Sequence, residues 1–323
     1  RFRPQLIMKQ HSTTSFLAYI FYAITFVVCL SCCKSYKLIT YESDYCEPPI
    51  YAHTIEKPIE FDSDSILVPD HKWKTQLTKQ NVLLAHALNL DKDLEQLTEL
   101  RDEHSIIKDS VLYLVTQQKI EHKVLNALVE IDALVAEFDC EGEKYDQLKE
   151  MLAGMNGKRD NKLTVASIVI GALSAVADAC ISNDGWNKGV AIGAGVIGAG
   201  LGWATLNPKG KRLILKHKRN HLRAIWEEKN SNEFPPIVWY MLNETKFTNN
   251  QQSTMLKNIR KRWLTFTFED DIKEANKSVM FKDEGVYTES MLETRSQIVG
   301  QLKATTQLLN QNFSSLLKQI KQL

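Results

Sequence analysis

The sequence predicts an all-α protein: a long helical bundle or coiled coil with a central glycine-rich apolar helical hairpin. Three observations carry this. No proline occurs between Asp70 and Asn207, and proline costs about 3 kcal/mol in a helix interior, so its absence favours long helices. Apolar residues recur in alternating steps of three and four, which gathers them into one stripe on a helix. Two nearly charge-free runs, Leu163–Ile181 and Gly189–Leu206, are separated only by a polar turn.

The chain has 323 residues, 44% of them hydrophobic, enough for one large or two modest domains. A formal net charge of +1 gives no global excess that points to nucleic acid. Residues 1–7 precede Met8 and read as an upstream translation artefact. After Met8 a short polar stretch with Lys9 leads into the charge-free run Phe16–Leu30, a length that suits a signal peptide better than a spanning helix.

Ser31-Cys32-Cys33-Lys34 follows, and this junction resembles the lipobox of bacterial lipoproteins. If Cys32 is acylated, Cys29 stands where leucine is usual. If Cys33 is, Leu30 fits but Cys32 replaces a small residue. The resemblance implies a leader over residues 1–33, lipidation at Cys32 or Cys33, and attachment to a membrane through acyl methylenes contributing about 0.8 kcal/mol each. An ordinary signal peptide and a retained N-terminal anchor are the alternatives.

Residues 34–69 hold Pro48, Pro49, Pro58 and Pro69 among polar residues and read as a tether, with short strand pairing as a secondary option. Cys46, Cys140 and Cys180 make no even framework. Buried free thiols are the expectation, and one disulfide among them is the alternative.

Residues 70–323 read as the helical domain. Leu90, Leu94 and Leu97 share one stripe, as do Val124, Leu128, Ile131, Val135 and Phe138. They predict one helix of about 60–70 residues or two stacked ones, with Glu141-Gly142-Glu143 as the interruption. At the C-terminus Val299, Leu302, Thr306, Leu309, Phe313, Leu316, Ile320 and Leu323 keep strict 3-4 spacing, and Ser290 with Glu293 has capping-box spacing. The expected partner of this seam is the long helix of the same chain, with self-association as the alternative.

Each half of the hairpin, residues 163–206, is close to the ~20 residues that cross a bilayer as a helix. Gly185, Gly189 and Gly193 repeat at four, as do Gly198 and Gly202, which lets helix backbones approach closely. Lys158, Arg159 and Lys162 precede the hairpin, and Lys209, Lys211, Arg212, Lys216, Lys218, Arg219 and Arg223 follow it. The stretch Lys209–Arg223 therefore reads as a helix facing lipid headgroups, with Lys209, Lys211, Arg212, Lys216, Lys218 and Arg219 as the binding residues. A buried hairpin inside a soluble bundle is the plainer alternative, and Asp178 favours it because a charge in lipid is costly.

Gly193, Gly195 and Gly198 also spell GxGxxG, and with the following GKRLILK they resemble the opening of a dinucleotide-binding unit. The surroundings argue against it. A long helical pattern precedes it, few strands follow, and Lys216, His217, Lys218 and Arg219 stand where an acidic residue would be expected.

His217 and His221 lie at i, i+4, without a carboxylate between them or a third ligand, and read as a solvated basic face. Phe234–Tyr240 reads as a core corner, with an interfacial aromatic belt or partner-docking site as the alternative, and the basic-aromatic stretch Lys257–Trp263 admits the same two readings. Residues 264–289 read as irregular, with short strands around Leu264–Phe268. The sequence holds no GxSxG, HExxH, phosphate-binding loop or calcium loop.

The functional expectation is a non-enzymatic structural or interaction protein of a bacterial envelope, at the periplasmic or cell surface. Its partners would be membrane lipid and either a second copy or an envelope protein, with no cofactor, metal or nucleic acid. In layout the chain also resembles α-helical pore-forming toxins of the haemolysin type, which implies Leu163–Leu206 as an inserting element.

Overall fold

The computed structural model describes residues 38–42, 45–47, 59–60, 62–102, 107–180 and 210–323. The chain divides into two compact units, Arg1–Ile39 and Thr40–Leu323. Only Leu38 and Ile39 of the first are described; the second carries the fold.

The second unit is mostly helical. Short helices α1 (Ser63–Ile66), α2 (Lys72–Gln76), α3 (Lys79–Ala87) and α4 (Asp91–Asp102) lead into α5 (Ile107–Cys180), 74 residues long. At 1.5 Å per residue α5 extends about 110 Å. It runs unbroken through Glu141-Gly142-Glu143, correcting the expected interruption. One glycine lowers helix propensity by only about 1 kcal/mol, and packing overrides it.

After residue 209 come strand β2 (Leu213–Lys216), α6 (His221–Glu227), α7 (Pro236–Asn243), α8 (Met255–Phe268), α9 (Ile272–Lys277), strand β3 (Glu284–Tyr287), α10 (Glu289–Leu308) and α11 (Asn310–Ile320). With β1 (Ile39–Tyr41) the strands form a three-stranded sheet in the order β1-β2-β3. The expectation of an all-α fold is corrected to that extent. Strands around Leu264–Phe268 are also corrected: this stretch is the last turn of α8, started by a Thr254 side chain that accepts from Lys257 N. The pairing partner of β2 is Glu284–Tyr287, antiparallel, with Leu213 opposite Tyr287 and Lys216 opposite Glu284. Leu213 and Leu215 are buried and Lys216 is exposed, the period-two pattern of a strand with one covered face. Gly285 is required here, because a Cβ would come within 2.5 Å of Val279 Cβ.

The core forms where α10 and α11 pack on α5. Every apolar or threonine position of the predicted C-terminal seam is buried, from Val299 through Leu323. Glu289 meets Asn156, Ser296 meets Gly142, Lys303 meets Asp139 and Asn310 meets Asp132. Partners retreat along α5 as the C-terminal helices advance, so the two run antiparallel. The partners of the seam thus lie within the chain: α10 packs on the long helix, as expected, and α11 packs on both α3 and α5.

Two details differ from the sequence reading. The buried line on α5 runs Val124, Ala127, Ile131, Leu134 and Phe138, whereas Leu128 and Val135 flank it half-buried. The cap of α10 is Thr288, whose Oγ1 accepts from Met291 N at 3.3 Å; Ser290 and Glu293 lie inside the helix. Two further side chains tie the early helices down. Asp93 of α4 binds Lys119 and Lys123 of α5 at 2.7 and 2.8 Å, and Asn81 of α3 donates to Ser315 and Gln319 of α11.

The stretch read as a tether contributes to this body. Cys46 is buried and disulfide-bonded to Cys140 of α5, with Cα atoms 5.5 Å apart. The expectation of free thiols at these two positions is corrected. Tyr41, Ile59, Ile66 and Leu67 also pack against the core. The core corner at Phe234–Tyr240 is as predicted: Phe234, Ile237, Val238 and Tyr240 are buried and Pro236 opens α7.

Candidate functional site

The most concentrated chemistry is a buried polar layer where the middle of α5, the turn after β2 and the start of α10 meet. The helical pattern places Glu137, Glu141, Lys144 and Tyr145 on the covered side of α5, all buried. Arg295 occupies the same side of α10 and is fully buried. Its Nη1 donates to Met280 O at 2.6 Å and to Tyr287 Oη at 3.4 Å, its Nη2 donates to Asn220 Oδ1 at 3.2 Å, and the guanidinium lies 5.0 Å from the Tyr145 ring centre. Asn220 caps α6 and also donates to Met280 O and Lys282 O. Four segments are therefore fixed to one another by two side chains.

The turn itself is held through its charged residues. Arg219 Nη1 donates to both oxygens of Glu137 at 2.8 Å, and its Nη2 donates to Glu233 O. His221 Nε2 lies 3.8 Å from Glu137, and its ring meets Phe138 and Phe234 edge-on at 4.9 and 5.2 Å. His217 Nε2 is 3.0 Å from Tyr287 Oη, whose hydroxyl donates to Val279 O.

Burial governs how these groups titrate. It pushes the Glu137 carboxyl up to about 7; Arg219 opposes the rise and Glu141 adds to it. The close Arg219 pair pulls the other way, but desolvation of the buried carboxylate is the stronger effect. Burial, with Arg295 and Lys144 nearby, holds His217 far below the usual imidazole range and therefore neutral. Burial also lowers the Lys144 ammonium, which Glu141 at 3.8 Å partly offsets. The chemistry of the layer is that of an internally paired network, which fixes a register.

The predicted headgroup residues are dispersed by the fold. The described part of this stretch, residues 210–223, holds a strand, a turn and the start of a helix, correcting the single basic helix. Lys211 donates its backbone N–H to Asn156 Oδ1 at 2.7 Å, and Lys211 and Arg212 are half-buried. Lys216 and Lys218 are exposed and pair with Glu42 and Glu47 at 3.3 and 3.9 Å. Arg219 turns inward to Glu137. His217 and His221 are both buried, on different elements, which corrects the solvated face. Among the described residues no three His, Cys, Asp or Glu side chains gather as a metal site.

Cys32, Cys33, Gly185, Gly189, Gly193, Gly198, Gly202, Lys209 and the GxGxxG stretch lie outside the described residues. Of the predicted hairpin, Leu163–Cys180 is described and is the last part of α5. Among the described residues no helix is long and apolar enough to cross a membrane. A dinucleotide unit calls for a parallel sheet, whereas β2, its would-be second strand, pairs antiparallel with β3.

The polar layer was missed in the sequence, though a signal existed. Arg295 extends the C-terminal seam by one step below Val299, and Glu141 falls between Phe138 and Tyr145 on the seam of α5. A charge on a core position of a 3-4 pattern marks a buried network.

A second feature is the far part of α5. Among the described side chains of α5, Leu152 is the last that is buried; from Ala153 to Val169 every residue is half-buried or exposed. Val165, Ile168 and Val169 are each at least half exposed. Exposed Lys158 and Lys162 precede them, near the level where Lys211 meets Asn156.

Comparison of the chain with protein-family models, with curated proteins and with solved structures finds no match.

Proposed function

We propose that this chain is a non-enzymatic, exported helical protein of a bacterial envelope whose body presents the apolar segment 163–206 to a membrane. The observation that carries the reading is the exposed apolar surface of Val165, Ile168 and Val169 on a helix that has already left its own core. Three apolar side chains at this spacing lie close together on one helical side, an arrangement that water disfavours and a lipid or protein surface would cover. Lys158, Lys162, Lys211 and Arg212 are placed near the junction between body and apolar segment, where phospholipid headgroups would be met. The Cys46–Cys140 disulfide supports export, because such bonds persist in oxidising compartments. Lipidation at Cys32 or Cys33 would add a second attachment.

The reading is tested with the full chain carrying C32S and C33S, so that no acyl chain contributes. The expected result is flotation with anionic liposomes, lost in V165K/I168K while the helical circular dichroism is unchanged. Both sites are exposed, so the substitutions leave the body's core intact. If the unlipidated chain stays at the bottom of the gradient, the membrane reading fails and the protein is a helical scaffold. A pore-forming protein is the second reading, favoured by one 74-residue helix antiparallel to α10 and α11 that carries the first part of the apolar segment, Leu163–Cys180, beyond them. Release of trapped dye on binding selects the pore; binding without release selects the anchor.

A further inference from the structure

The C-terminal seam is consumed inside the chain, but α5 carries a second seam that is not. The buried line Ile120, Val124, Ala127 and Ile131 fills one side of the helix. At about 100° per residue the direction opposite to it is occupied by Val111, Val115, Gln118, His122, Leu125 and Val129. These six alternate in steps of four and three, and all are exposed. The four aliphatic members are each more than half exposed, as is neighbouring Leu114. A water-facing helix has no use for a 4-3 aliphatic line, and this spacing is the one that inserts knobs into the holes of a facing helix.

The order of residues along the line identifies the occupant. Read outward from its centre, the line is polar, aliphatic, aliphatic in both directions. An antiparallel copy centred between Gln118 and His122 therefore sets Val111 against Val129, Val115 against Leu125, and Gln118 against His122. Every aliphatic side chain then meets an aliphatic one. The two polar residues meet across the axis, where a carboxamide and an imidazole can hydrogen-bond. A surface complementary to itself about a two-fold axis is the requirement for an isologous dimer. We infer that the outer stripe Val111–Val129 of α5 is a homodimer interface in which two copies of this chain pair antiparallel. The inference is independent of the membrane reading, which concerns the opposite end of the helix.

The test uses the full chain in mild detergent, with mass measured by sedimentation or light scattering at micromolar concentration. Wild type is expected to be a dimer. V115E is expected to weaken the dimer by at least about tenfold, since it buries a carboxylate against leucine. V115E/L125K is expected to restore it, because antiparallel pairing sets each introduced carboxylate against the partner's introduced ammonium. Both positions are exposed, so the monomer folds in every variant, which circular dichroism checks. A monomeric wild type overturns the proposal, as does a V115E chain that dimerises as tightly as wild type. A V115E/L125K chain as weak as V115E rejects the antiparallel register, and with it the proposal.

Discussion

Removing the Cys46–Cys140 bond is the most decisive perturbation of the fold. The bond links residues separated by 94 positions, joining the segment after β1 to the middle of α5. In the chain-entropy description, closing a loop of that length restricts the unfolded chain by about 4.7 kcal/mol at 25 °C, and measured losses for native bonds fall at about 2–5 kcal/mol. The native state gives little reason for a smaller effect. Cys46 is buried, Glu42 and Glu47 pair with Lys216 and Lys218, and Tyr41 packs on the core. Exposed pairs of this kind contribute less than about 1 kcal/mol each, so they cannot hold the segment alone. At about 2 °C of melting temperature per kcal/mol for a domain of this size, C46S/C140S should melt about 4–10 °C lower. The assay is thermal unfolding by circular dichroism, with and without reductant. Reduction should lower the melting temperature of the wild type to that of the variant and leave the variant unchanged. If both melt alike under oxidising conditions, or if thiol titration finds Cys46 and Cys140 free in the native chain, the reasoning is refuted.

The remaining predictions concern titration, packing and capping. Glu137 binds its proton more tightly folded than unfolded, so its contribution is greatest at low pH and is lost as pH rises from about 4.5 to about 7. His217 is neutral when folded, so its contribution has the opposite sign and is lost as pH falls below about 6.5. The two slopes, about 1.4 kcal/mol per pH unit each, oppose one another between about pH 4.5 and 6.5. E137Q should therefore lose stability towards pH 5, whereas H217Q should gain it, as read by urea unfolding at a series of pH values. F313A, which empties a fully buried site on the C-terminal seam, should cost about 3–5 kcal/mol in urea unfolding. T288A should cost about 1 kcal/mol through loss of the α10 cap, with S290A near neutral; the reverse order would place the helix start where the sequence spacing suggested.

By itself the sequence determined the helices that are long and strictly periodic. The C-terminal line from Val299 to Leu323 was legible to the residue, because a repeat of that length leaves one helical face to bury. The long helix was legible from the missing prolines and the line around Val124 and Ile131. The core corner at Phe234–Tyr240 was legible from aromatics set against two prolines. What only the tertiary structure decided are the features that depend on distant partners. Leu213–Lys216 is a strand because Glu284–Tyr287 lies beside it, and nothing local in either stretch announces the other. Arg219 turns into a half-buried ion pair because Glu137, 82 positions earlier, lies 2.8 Å from its Nη1. Cys46 finds Cys140 because the segment after β1 folds back on α5, and spacing alone cannot express that return. Side-chain periodicity is a property of neighbours along the chain; burial of a charge, closure of a disulfide and pairing of a strand are properties of groups that meet only when the chain has folded.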